Sequence, residues 1–215
     1  MGKRLLWLGS ARRDIRVFPK PARRIAGFQL LRVQQGLEPN DWKPMASIGA
    51  GVQEIRIHTE TEHRVCYVAR FLEGVYVLHA FEKRTRKTSR GDLELARTRY
   101  RELLEHRRKG VMGKASAKLT RSSGNVFRDL GFGSEEAEHL VVRSELMIKI
   151  EKLLKARGLT QSAAARIMRV SQPRVSDLLR GKLDLFSTDA LIDMLARLGV
   201  SVRVAFASSK SRRVA

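Results

Sequence analysis

The chain has 215 residues and carries 43 Lys and Arg against 22 Asp and Glu, a formal net charge of +21. That excess calls for a polyanionic partner, with nucleic acid ahead of a membrane surface. No apolar run approaches the roughly 18 residues a spanning helix needs, and LLWLG near the start is too short for a signal-peptide core. A single cysteine, Cys66, excludes an internal disulfide framework and a multi-cysteine zinc site. The chain therefore reads as soluble and cytoplasmic, with no membrane partner and no metal or cofactor. Residues 1–111 hold a net charge of +12 and residues 112–215 a net +9, so both ends are basic and two separate nucleic-acid contacts are expected.

Ser10–Phe18 reads as a short helix halted by Pro19 and Pro21. A second helix, Ala22–Gln35, places Ile25, Phe28 and Leu31 on one stripe and leaves Arg23, Arg24 and Arg32 outside. Residues 38–51 are dense in Pro, Gly and Asn and read as loop. The period then changes: Val52–His58, Arg64–Phe71 and Val75–Glu82 read as three strands of an antiparallel meander. Asp92 caps a helix over Leu93–His106. Residues 1–106 thus form an α+β domain. Residues 107–133 lose all apolar period and read as a flexible basic linker. An all-α unit follows over residues 134–207, opening with an amphipathic helix Ser134–Arg157 capped by Ser134 and closing with a helix Thr188–Leu198 and a strand Val200–Phe206. Residues 208–215 are a basic tail.

Within that second unit, Leu159–Gly181 (LTQSAAARIMRVSQPRVSDLLRG) reads as two short helices and a tight turn. Thr160 and Ser171 are cap residues, and Pro173 sits where a missing N–H costs nothing. Val175, Leu178 and Leu179 make one buried stripe, leaving a polar outer face. Such a pair is a helix-turn-helix whose second helix enters a DNA major groove, although an ordinary helical hairpin has the same pattern. In the DNA-binding reading Gln172, Arg174 and Asp177 face base edges. Gln161, Arg180 and Lys182 touch phosphates, with Ser171 and Ser176 on the same surface.

The first unit holds no paired-carboxylate, HExxH, P-loop or Gly-x-Ser-x-Gly motif. Cationic side chains instead recur on the meander: Arg56 and His58 on one strand, Arg64 and Arg70 on the next, His79 on the third, and Lys83, Arg84, Arg86 and Lys87 after it. Converging cations can grip a phosphodiester and stabilise the charge of its cleavage transition state, and a Lys or His can take the proton of an RNA 2′-OH. The same residues are also readable as the solvated face of a basic protein.

Two resemblances bear on these alternatives. LTQ…VSQ…VS…RGK resembles the XRE family of DNA-binding domains, with Arg169 standing where that family usually has Gly. The order WLGSARRDIRVFP…VQEIRI…HRVCYVA…VYVLHAFEKRTRKT…YREL is similar to the RelE/ParE superfamily of type II toxins, nearest its HigB branch, over most of residues 7–104. The toxin resemblance implies a metal-independent endoribonuclease acting on ribosome-associated mRNA. In that carry-over Arg56 and Arg64 hold the phosphate, Lys83, Thr85 and Lys87 position RNA or move protons, and His79 is the weakest candidate. The second unit would then be a HigA-like antitoxin that neutralises the toxin in cis or in trans, binds operator DNA as a homodimer and autorepresses. Natural and engineered fusion are both open, and Met112 stands where a separate antitoxin would start. The alternative is a DNA-binding regulator whose first domain no longer cleaves and serves in dimerisation or RNA binding.

Overall fold

The computed structural model describes residues 2–85, 87–108 and 119–203. Its centre is a six-stranded sheet. Strand β1 (Arg4–Leu8) is followed by helices α1 (Ala11–Arg16) and α2 (Lys20–Gln34). Strands β2 (Trp42–Pro44), β3 (Val52–His58), β4 (Glu62–Val68) and β5 (Gly74–Glu82) come next, then helix α3 (Arg90–Arg108) and strand β6 (Leu119–Arg121). The spatial order is β2-β3-β4-β5-β1-β6; β1 runs parallel to β5 and every other pairing is antiparallel.

Alternation along the strands sorts side chains to two cores. Leu5, Trp7, Ile55, Ile57, Val65, Tyr67, Val75 and Val77 face α1 and α2, whereas Leu6, Leu8, Val52, Cys66, Val68, Tyr76 and Leu78 face α3. β1 is apolar on both faces because both faces are covered, so it shows none of the polar alternation that marks a half-exposed strand. In β5 the register steps from Cys66↔His79 to Tyr67↔Val77 and leaves Leu78 as the extra residue of a bulge. The bulge re-aims the strand, so that His79 meets α3.

The remaining helices are α4 (Val126–Asp129), α5 (Ser134–Ala156), α6 (Gln161–Met168), α7 (Gln172–Leu179) and α8 (Thr188–Arg197), with a 3₁₀ turn at Leu183–Leu185. They pack behind α2, on the side of the sheet opposite α3. The core on that side is continuous: Trp7, Phe28 and Tyr67 belong to the same buried cluster as Phe127, Leu140, Met147, Met168, Val175, Phe186 and Leu191. Two glycines permit close approaches across this boundary. A methyl at Gly27 would overlap the Phe127 ring, and one at Gly181, whose φ is +75°, would overlap the Phe28 ring.

Polar ties cross the same boundary. Trp7 Nε1 donates to Asp129 Oδ2 at 3.2 Å, and Arg16 Nε donates to the Asp129 carbonyl at 2.7 Å. Arg24 pairs with Glu136 and with Asp184, each at 2.8 Å. Arg32, expected on the outside of its helix, is buried: it forms a paired contact with Glu151 and donates to the Glu38 carbonyl. The sequence pattern misplaced it because helical periodicity sees the sheet side of α2 and not the second helical layer behind it.

Part of the expected linker is ordered structure. β6 pairs with β1 through Leu6↔Arg121, Trp7↔Thr120 and Leu8↔Leu119. α4 is capped by Asn125, whose side chain accepts from the Phe127 and Arg128 N–H groups, and it buries Val126 and Phe127. Three paired residues and one helical turn are too short to show a period, which is why composition suggested a linker. Residues 109–118, with Met112, lie outside the described residues, as does the expected tail 208–215. The expected strand Val200–Phe206 is absent over residues 201–203, and residues 204–206 are likewise outside. α5 begins after Gly133 with no side-chain cap, so Ser134 is helical and not its cap. No helix among the described residues is long and apolar enough to cross a membrane.

Candidate nucleic-acid interfaces

The α3 face of the sheet gathers the first set of cations. Arg56 on β3 lies directly opposite Arg64 on β4, and Arg64 lies opposite Phe81 on β5. Glu54, two residues before Arg56 on the same face, is buried beneath them. Its Oε1 lies 3.6 Å from Arg64 Nε, 3.8 Å from Arg56 Nε and 3.6 Å from Lys43 Nζ on β2. Arg64 is only 7% exposed; it donates to the His63 carbonyl at 2.8 Å and to Glu62 Oε2 at 2.9 Å. Arg56 is held by longer ion pairs, to Asp41 at 3.9 Å and to Glu54, and stays partly exposed. Of the two arginines, Arg56 is the one already presented to solvent.

Lys83 follows β5, its backbone N–H donating to the Glu62 carbonyl and its Nζ to the Thr85 carbonyl at 2.5 Å. Thr85 Oγ1 donates to the Lys87 carbonyl at 2.6 Å. This segment and β2 flank a groove of 560 Å³ into which Lys43, Lys83 and Lys87 converge. Lys43 was not singled out from sequence, because a lone lysine in a Pro-rich stretch carries no signal until β2 pairs it with Glu54.

His79 does not join these groups. Its Nε2 lies 2.9 Å from Asp92 Oδ1, its Nδ1 faces Asp14 at 3.5 Å and Arg99 at 3.4 Å, and the ring is 6% exposed. Burial alone would raise the Asp14 carboxyl; hydrogen bonds from His79 and Ser10 and the charge of Arg99 outweigh it and hold it below the usual carboxylate value. The cluster ties α1, β5 and α3 together. Cys66 is buried and burial pushes its thiol up, which removes it as a nucleophile. At the sheet end, His58 bridges Glu62 and Asp41, each at 2.7 Å, and those two hydrogen bonds raise its pKa.

The second interface is the α6–α7 pair. The Thr160 side chain accepts from the Ala163 N–H and the Ser171 side chain from the Arg174 N–H, fixing both helix starts. Arg169 ends α6 at φ +54°, ψ +47°, in the left-handed region. Val175 and Leu178 are buried, and Gln161, Ser171, Gln172, Arg180 and Lys182 are exposed. Gln172 Nε2 donates to Gln161 Oε1 at 2.6 Å, linking the first residues of the two helices. Ser176 is half-buried. Arg174 is folded back: its guanidinium stacks 4.2 Å from the Phe186 ring centroid and donates to the Leu185 carbonyl. Asp177 pairs with Lys182 at 2.7 Å. Of the three expected base-reading side chains, only Gln172 is exposed; Arg174 and Asp177 are engaged within the protein. The far end of α7 abuts the first unit, where Asn40 Nδ2 donates to the Leu179 carbonyl at 2.7 Å.

Residues 13–101 match the family described as phage derived protein Gp49-like, and residues 126–206 match the family described as helix-turn-helix domain. The chain is thus similar over its first part to the Gp49-like family and over its second to the helix-turn-helix family. The second match starts at Val126, the first residue of α4, inside the stretch read as linker. No curated protein matches the chain. The Gp49-like match ends in α3 and takes in both arginines, Glu54 and the Lys83–Lys87 segment, while the helix-turn-helix match contains all of α6 and α7.

Proposed function

We propose that this chain is a toxin–antitoxin protein in one polypeptide: a HigB-like, metal-independent endoribonuclease unit, restrained by a fused HigA-like unit that binds and represses its own operator. The observation that carries the proposal is the convergence of Lys43, Arg56, Arg64 and Lys83 on the α3 face, in a segment matching a phage-derived family. Those cations can hold a scissile phosphate and the negative charge that grows on it as the neighbouring 2′-OH attacks. Among the described residues, the helix-turn-helix half packs on the side of the sheet opposite α3. On the DNA side, Gln161 steadies Gln172, whose amide can then pair with the N6 and N7 edge of an adenine.

A second reading, a DNA-binding regulator with an inactive first domain, draws on the burial of Arg64 and its full set of protein partners. One experiment separates the two. Purified full-length chain is added to a translating extract and mRNA ends are mapped by primer extension, beside Arg56→Ala and a Gly27→Leu variant that loosens the docked half. Cleavage that Arg56→Ala abolishes supports the ribonuclease. Intact mRNA with the wild type and with the loosened variant refutes it, and retarded migration of upstream DNA then leaves the regulator.

A further inference from the structure

Among the described residues, Glu54 Oε2 is the single buried carboxylate oxygen with no hydrogen-bond partner. Its sister oxygen faces three cations, none within 3.5 Å. A carboxylate 1% exposed and so loosely satisfied is costly unless the cations gain from being gathered. Two of the three, Arg56 and Lys43, are more than a third exposed, and Lys43 lines the groove with Lys83 and Lys87. Ser47 stands at its wall, and Met45 and Leu93 add apolar surface. The wall is fixed: Arg97 Nε donates to the Ser47 carbonyl at 2.6 Å and Tyr100 Oη to the Ala50 carbonyl at 2.7 Å, pinning the loop to α3.

We propose that this groove is a binding subsite for single-stranded RNA, with Lys43 a further phosphate ligand and Glu54 the positioning residue that holds Lys43, Arg56 and Arg64 at its head. Separate ammonium groups follow a flexible backbone, and an apolar surface beside them receives an unstacked base, which a duplex does not offer. The subsite's place next to a scissile phosphate rests on the ribonuclease reading; its RNA binding does not.

The test uses the full chain and a labelled 2′-O-methyl oligoribonucleotide, which cannot be cut by 2′-OH attack, followed by fluorescence anisotropy across a salt series. Lys43→Ala is expected to weaken binding about tenfold and to lower the slope of log K against log salt by about 0.7, one single-strand phosphate contact. Binding of the same sequence as a duplex is expected to ignore the substitution. Unchanged affinity and slope for the single strand would overturn the subsite. With cleavable RNA, Glu54→Gln should bind as tightly as the wild type or more so, since a negative charge is gone, yet cut several-fold more slowly at saturation. Glu54→Asp should restore part of that rate. Loss of affinity and rate together would reduce Glu54 to a structural prop, and absence of cutting by the wild type would remove its positioning role. Lys43-dependent binding without cleavage, by the wild type and by the loosened Gly27→Leu chain alike in the translating extract, would sink the ribonuclease reading and keep the subsite; cleavage indifferent to Lys43→Ala would do the reverse. If Glu54→Gln does not fold, Lys43→Ala carries the test alone.

Discussion

Docking of the two halves can be measured through one pair, Phe28 and Gly181. An alanine at 181 meets two obstacles. Its backbone has φ +75°, where an L residue costs about 1 kcal/mol, and its methyl would overlap the Phe28 ring, an overpacking cost of about 1–3 kcal/mol. Gly181→Ala should therefore destabilise the full chain by about 2–4 kcal/mol. Phe28→Leu removes the ring and should cost about 1–2 kcal/mol by itself. In the double variant the methyl occupies the space the ring has left, and only the backbone strain persists. The double loss should fall short of the sum of the single losses by about 1–3 kcal/mol. Urea denaturation of the four proteins, followed by circular dichroism at matched slopes, gives the coupling directly. Additivity within about 0.5 kcal/mol would mean that Phe28 and Gly181 do not touch, and the shared core would be refuted with it.

Three further outcomes follow from geometry already described. Burial would raise the Glu151 carboxyl, but hydrogen bonds from Arg32 and Lys155 outweigh it and hold it below its ordinary value of 4.5; a depressed carboxylate contributes stability above that value and loses it as pH falls, so between pH 5 and 3 the denaturation midpoint of Glu151→Gln should fall less steeply than that of the wild type. Arg169→Gly relieves a left-handed residue but loosens the unfolded chain, for a net gain of about 0.5 kcal/mol by thermal denaturation; a loss above about 1 kcal/mol would show that the arginine side chain stabilises the turn. Gln172→Ala should cost about 1–3 kcal/mol at one base-pair position in a binding-site selection, whereas Lys182→Ala should weaken all sequences alike and flatten the salt dependence. Operator preference unchanged by Gln172→Ala would take that residue off the reading face.

Local chemistry was legible in the sequence around the α6–α7 turn but not everywhere: Ser134 and Asp92, expected as caps, are helical residues. The caps at Thr160 and Ser171 are both made, each accepting from an N–H three residues on, and Arg169 occupies the left-handed turn that its place in the motif demanded. The meander also appeared with nearly the expected ends, because β3 to β5 are joined by short turns. What failed to show depends on a partner distant in the chain. β1 and β6 pair only once residues 6 and 121 meet. Arg32 is buried only because Glu151 arrives from another helix. His79 is the weakest of the catalytic candidates, and its contact with Asp92 depends on the β5 bulge, which leaves no mark in the sequence. Lys43 had no feature of its own to mark it.

The continuous core also governs the chain in time. Synthesis runs from the amino terminus, so the first unit leaves the ribosome with Trp7 and Phe28 still lacking the Phe127 and Phe186 side of their cluster. At about 5–20 residues per second that interval lasts several seconds. Removal of the second half by a protease would return the first to the same unfinished state. A survivor with that surface bare would aggregate or be degraded in turn. Within the full-length chain the two halves are therefore present one to one, and the first unit's lifetime is tied to that of the second.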